Sequence, residues 1–307
     1  MTATSSASLA AFLAAHPGRD FDRDGLRLHY LDEGAGEPVV MVHGNPTWSF
    51  YYRNLVDALK TRYRTIAPDH IGCGRSDKPD DSRYQYTLRS RVDDLAGLLD
   101  HLGVDREITL VVHDWGGMIG MAYAARHPGR IARLVVLNTG AFPLPASKPL
   151  PPALRLGRDS KLGAGLIRGF NAFAVAAARV GCKRRPMGKD LRAAYVAPYD
   201  SWANRIATLR FVQDIPLAAG DRGFDIVQGT ADRLGELAHV PMMIAWGLRD
   251  FVFDRHFLDE WTRRFPEAEV HRFEDGGHYI LEDAGDEIIP LIEEFLAAHP
   301  VLQGQEA

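Results

Sequence analysis

Five short runs that lack polar alternation constrain this chain more than anything else in its sequence: Val39-Val40-Met41-Val42, Arg64-Thr65-Ile66-Ala67, Ile108-Thr109-Leu110-Val111-Val112, Leu134-Val135-Val136-Leu137 and Met242-Met243-Ile244-Ala245. A strand with one wet face alternates apolar and polar residues, whereas a strand apolar at every position has both faces covered, as in a parallel sheet between helix layers. One earlier segment, Gly25 to Tyr30, does alternate and reads as a half-exposed strand. Between the runs lie helical patterns, of which Leu88, Val92, Leu95, Leu98, Leu99 and Leu102 form an apolar stripe at three- and four-residue steps. Strand-helix alternation predicts an α/β fold, a mostly parallel sheet flanked by helices, with right-handed crossovers and the working site at the carboxyl ends of the strands.

The alternation fails after Phe142. A proline-rich stretch, PLPASKPLPP, opens a segment that reads as several helices before Met242 resumes the sheet. Roughly 90 residues is too long for a loop in a compact domain. The chain therefore divides into a core, residues 20–141 and 232–300, and an inserted helical cap, residues 142–231, enclosing a pocket. Within the insertion, LGAGLIRGFNAFAVAAARV is apolar enough to suggest a membrane span, but Arg168, Asn171 and Arg179 interrupt it. A central arginine costs several kcal/mol in lipid, so a helix packed on protein is expected instead.

The formal charge of −4 leaves no electrostatic footprint for nucleic acid. Lys183-Arg184-Arg185 reads as a solvated helix end. Cys73 and Cys182 offer no pairing framework, and reduced thiols fit a cytoplasmic protein. The first residues carry no Lys or Arg before their short apolar run, so they lack the charged start of a secretory signal and read as a frayed or helical arm. No histidines have metal-ligand spacing, and the glycine-rich stretch from Asp69 to Asp77 reads as a structural loop. No metal and no cofactor are implied.

The chemistry concentrates at VVHDWGG. Asp114 ends a buried strand and precedes Gly116-Gly117, small residues that let a following helix approach closely, as a nucleophile elbow requires. Val112 departs from the glycine of the G-x-S-x-G pattern, and a plain helix cap is the rival reading of Asp114. Asp250 follows another core strand, and His278 follows the strand-like run Val270 to Phe273. Nucleophile, acid and histidine thus come in the order an elbow enzyme needs, each at a strand end. An aspartate of ordinary pKa is about 99.9% ionised at pH 7 without a base. It suits displacement at a saturated carbon that bears a leaving group, namely a halide, an epoxide oxygen or a strained lactone oxygen. In HGNPTW, Asn45 would supply one backbone N–H and Trp115 the other, with their side-chain N–H groups directed at the same space.

HGNPTW, DHIGCGRSDKP, VVHDWGG, WGLRD and DGGHY together resemble the haloalkane dehalogenase group of α/β-hydrolases over nearly the whole chain from about residue 20. The resemblance implies Asp114 as nucleophile, His278 as base, Asp250 as acid, and Asn45 and Trp115 as leaving-group donors. Some members place the acid after the strand before the cap. Asn138 stands there, which supports Asp250. LVVLNTGAF, RGFNAF and YVAPYDSWANRIATLRFVQDIPL resemble one branch especially, the β-lactone decarboxylases of bacterial long-chain olefin biosynthesis. That likeness implies conversion of a cis-β-lactone with two alkyl chains to a cis-alkene and carbon dioxide, a small hydrophobic substrate, and pathway enzymes as partners. Haloalkane hydrolysis is the alternative. Epoxide hydrolysis, with Tyr195 and Tyr199 as proton donors, and a non-enzymatic receptor are weaker ones. Phe170, Phe173 and Val175 are candidates for the pocket wall.

Overall fold

The computed structural model describes residues 9–145 and 148–301. Residues 1–8 of the N-terminal arm and Ala146-Ser147 of the proline-rich stretch lie outside that range, while Leu9–Ala15 is a helix. Eight strands, β1 (Arg19–Arg23), β2 (Leu26–Glu33), β3 (Pro38–Val42), β4 (Arg64–Pro68), β5 (Ile108–Asp114), β6 (Ile131–Thr139), β7 (Met242–Gly247) and β8 (Glu269–Phe273), form one sheet in the order β1-β2-β4-β3-β5-β6-β7-β8. From β4 to β8 every pairing is parallel, whereas β1 and β2 add an antiparallel edge.

The non-alternating runs have a simple physical origin. Val40, Val42, Leu110, Val112, Leu134, Val136 and Ile244 face one hydrophobic core, while Val39, Met41, Val111, Val135, Leu137 and Met243 face a second on the other side of the sheet. Successive side chains point to opposite faces, and here both faces are roofed by helices. One strand was not foreseen and one expectation needs correction. β1, with the polar sequence RDFDR, has no apolar run to mark it and exists as the exposed edge partner of β2. β2 is more buried than half, because His29, at a position that alternation assigns to solvent, is covered and bonded to Asp20 at 2.8 Å.

Between β6 and β7 run the helices Pro152–Asp159, Lys161–Phe170, Ala172–Val180, Lys189–Val196, Ile206–Gln213 and Phe224–Arg233. The apolar stretch from Leu162 to Val180 is two helices, broken where Asn171 takes φ 53°. Among the described residues no helix is long and apolar enough to cross a membrane. The insertion keeps a small core of its own, Ile167, Leu209 and Val212. Polar bonds anchor its second half: the Asp283 carboxylate accepts the backbone N–H groups of Lys183, Arg184 and Arg185, and Glu282 takes a bidentate bond from buried Arg53 and another from the Tyr195 hydroxyl. The basic run is thus paired rather than merely solvated, with Arg184 on Asp275 and Arg185 on Asp286.

Candidate active site

β5 ends at Asp114, and the helix Trp115–Arg126 begins on the next residue. Asp114 itself sits at φ 52°, ψ −127°, a conformation that costs a non-glycine residue about 1–3 kcal/mol and recurs at functional turns. Its side chain makes no capping bond to that helix, which disposes of the helix-cap reading. Close approach makes the turn possible. A Cβ on Gly116 would strike the Val42 carbonyl, and one on Gly44 would strike the Asp114 carboxylate. The Thr139 hydroxyl donates to the Asp114 carbonyl and fixes the bend from the β6 side.

Three charged groups converge there. Asp114 Oδ1 accepts the Asn45 backbone N–H at 2.6 Å, and Asp114 Oδ2 lies 3.4 Å from His278 Nε2. His278 Nδ1 lies 2.8 Å from Asp250 Oδ2. Burial pushes the Asp114 carboxyl up, but the hydrogen bond and charge of His278, with the Asn45 N–H, outweigh it and hold the group below its usual range. Burial alone would lower His278. Its two carboxylate neighbours, Asp250 first, instead raise it to about 10, so the resting ring is an imidazolium clasped between two anions.

Further residues support the cluster in roles that the sequence reading did not assign. Asn138, at φ 31°, donates Nδ2 to Asp250 Oδ2 at 3.1 Å and accepts the Gly247 N–H at 2.8 Å. His113 Nε2 lies 2.8 Å from the His278 carbonyl oxygen, and burial pushes its own pKa to about 3, so it stays neutral. The Phe253 ring stacks on His278 with centroids 6.0 Å apart. The sequence marks Asn138 by its place after the strand before the insertion and Phe253 by its nearness to Asp250, but not the bonds they make.

Asp114, His278, Asn45 and Trp115 open onto one cavity of about 860 Å³, counting its mouth. The rest of its wall is almost wholly apolar: Met118, Phe142, Leu144, Leu150, Leu154, Phe173, Ala177, Val212, Ile215, Val227, Phe251 and Phe257 among others. Phe173 is there. Phe170 is not, being 78% exposed, and Val175 lies in a surface groove with Arg179 and Lys189. Tyr195 and Tyr199 lie outside the wall too, their hydroxyls turned to Glu282 and to the Thr47 carbonyl, so neither can protonate an epoxide in the cavity. Both residues of the expected donor pair line the cavity and have further contacts. One Asn45 amide hydrogen is committed to the Thr208 carbonyl at 3.2 Å, and Trp115 doubles as a packing residue, edge-on to Phe211.

The chain matches the family model for the alpha/beta hydrolase fold over residues 37–285. It is 63% identical to a cis-3-alkyl-4-alkyloxetan-2-one decarboxylase of Shewanella oneidensis, over 92% of this chain and 89% of that one. A protein of the same name from Xanthomonas campestris pv. campestris is 51% identical, over 93% and 99%. Haloalkane dehalogenase 2 of Mycobacterium tuberculosis is more distant, at 32% over 90% and 93%. Among solved structures, haloalkane dehalogenase DbeA of Bradyrhizobium elkani superposes with a TM-score of 0.79 at 27% identity, covering 91% of this chain and 98% of its own. With the fold, the strand-end geometry and these likenesses in agreement, the chain belongs to the α/β-hydrolase family, in the group that unites the haloalkane dehalogenases with the alkyloxetanone decarboxylases.

Proposed function

We propose that this protein is a cis-β-lactone decarboxylase that converts a 3,4-dialkyl oxetan-2-one to a cis-alkene and carbon dioxide, with Asp114 as nucleophile, Asp250 and His278 as its charged partners, and Asn45 and Trp115 as substrate-side donors. The observation that carries the reading is the ionised Asp114, held by the Asn45 N–H at 2.6 Å on the floor of an apolar cavity beneath a helical cap. The high identity to relatives named for that activity supports it.

The chemistry follows from the charges. Asp114 attacks the ring carbon that bears the lactone oxygen, with inversion; the ring C–O bond breaks and frees a carboxylate on the neighbouring carbon. Loss of carbon dioxide then leaves its bonding pair to form the alkene as the C–O bond to Asp114 breaks on the opposite face. Inversion followed by anti elimination keeps the cis relation. The leaving group in the second step is the Asp114 carboxylate itself, so the contacts that hold its anion at rest stabilise the departing charge. The freed substrate carboxylate keeps a negative charge beside His278, which keeps the ring protonated and unable to activate water.

Haloalkane hydrolysis is the second reading, favoured by the 32% relatives and by the same three groups. There the halide departs, the Asp114 ester is neutral, and His278 loses one of the anions that hold its proton. It can then act as a base toward water. Parallel incubation with a cis-β-lactone and a bromoalkane, assaying alkene and bromide, tests both. Bromide without alkene would overturn the decarboxylase reading.

A further inference from the structure

The layer of helices that roofs the cavity has a second face. Its inner side contributes Leu154, Phe173 and Ala177 to the cavity wall. Its outer side carries Leu162, Leu166 and Phe170, spaced every fourth residue and so aligned along one face of the helix Lys161–Phe170. Leu162 is 67% exposed and Phe170 78%. Trp202, 56% exposed, stands beside them with the Arg168 guanidinium 4.6 Å over its ring. Exposed large apolar side chains grouped in this way mark an interaction surface.

Charge says what the surface meets. From Pro152 to Arg192 the chain carries ten Lys and Arg against two Asp, and a basic excess remains after Arg158, Arg184 and Arg185 pair with carboxylates outside that stretch, whereas the whole protein is −4. Lys161, at the head of the same helix, is exposed, as are Arg179 and Lys189 on the helices that follow. A basic rim around Leu, Phe and Trp side chains is the composition of an element that lies in the headgroup region of a bilayer. An acidic body behind it turns that one face toward an anionic sheet and the rest away.

We propose that the outer face of this helical layer docks the protein on an anionic phospholipid membrane, with Leu162, Leu166, Phe170 and Trp202 entering the headgroup boundary and the surrounding Lys and Arg meeting the lipid phosphates. The inference needs no substrate and stands apart from the lactone reading.

The test is flotation of the full chain with vesicles of phosphatidylcholine alone or mixed equally with phosphatidylglycerol. Binding to the anionic vesicles should exceed binding to the neutral ones at least about tenfold and fall in about 0.5 M salt, as surface charges contribute roughly a factor of five each. Two double variants at exposed positions, Leu162→Ser with Phe170→Ser and Lys161→Glu with Lys189→Glu, should each keep the wild-type melting temperature and lose at least about tenfold in binding. Indifference of the wild type to anionic vesicles, or binding that survives either variant, overturns the proposal. Self-association that Leu162→Ser with Phe170→Ser disperses, without vesicle binding, also overturns it and gives the face to a second copy of the chain.

Discussion

The strand-end cluster and the helical insertion meet across one cavity but are built on opposite terms. Around Asp114 a chain of polar contacts holds the reacting groups, from the Asn45 N–H and the Thr139 hydroxyl to Asp250 behind His278 and Asn138 behind Asp250. The wall above is hydrocarbon, and the insertion's own core is three residues. A fixed polar floor selects a reaction type, because charge development is sensitive to tenths of an ångström. An apolar roof selects by size and length alone, with little penalty for substitution. On the proposed reading, the floor forms the alkyl ester, the roof selects the chain length, and the substrate's own charge decides what becomes of the ester.

The most severe test of this division is Asp114→Ala. Turnover should drop at least about 10⁴-fold while the melting temperature stays near wild type, since the change removes a carboxylate at a cavity surface. Alkene formed at anything near the wild-type rate would end the nucleophile assignment. His278→Phe should separate the two electrophiles: bromoalkane hydrolysis should fall roughly 10³-fold and stall at the Asp114 ester, while lactone decarboxylation falls about tenfold. Single turnover in ¹⁸O-water should accordingly label Asp114 with bromoalkane and not with lactone.

The roof predicts smaller, graded effects. Affinity for a lactone should rise with each added methylene, at about 0.8 kcal/mol apiece, until the cavity is full. Phe173→Ala should move that limit to longer chains without changing the fate of the Asp114 ester; a flat chain-length series would rule out an enclosed alkyl wall. The mildest effect is on stability. His278 has a folded pKa of about 10, above its ordinary 6.5, so its ion pairs stabilise fully below pH 6.5 and fade as pH rises through about 10. Wild type should therefore lose more melting temperature than His278→Phe between pH 7 and pH 10. Equal losses would mean that the ring is neutral at rest.

The two regions were also unequally legible. Buried parallel strands announce themselves by composition, and Asp114, Asp250 and His278 stand at the ends of such strands, so their convergence could be read from order alone. β1 could not, because an edge strand of charged residues lacks an apolar signal. Within the insertion the period shows which residues share a helix face but not which face turns inward. Phe170 and Phe173 are three apart, yet Asn171 breaks the helix between them and sends one outward and the other into the cavity. The Thr208 carbonyl that takes one Asn45 amide hydrogen was not legible for a related reason, as it is a backbone atom 163 residues away.

The anchoring of the insertion carries a consequence for traffic. Asp283 and Glu282 follow His278 within five residues and fasten the segment from Lys183 to Tyr195 to the core through buried charge. The side-chain hydrogen bonds of the helices from Pro152 to Val180 go to other parts of the insertion, as from Arg158 to the Ile215 carbonyl and from Asn171 to the Tyr199 carbonyl. Any breathing of the roof should then be lopsided, like a page bound along one margin, with the spine at residues 183–195 and the free edge at the helices Pro152–Asp159 and Lys161–Phe170. An alkene has no polar group to pull it into water, so an apolar free edge beside the cavity is the side from which it is least held.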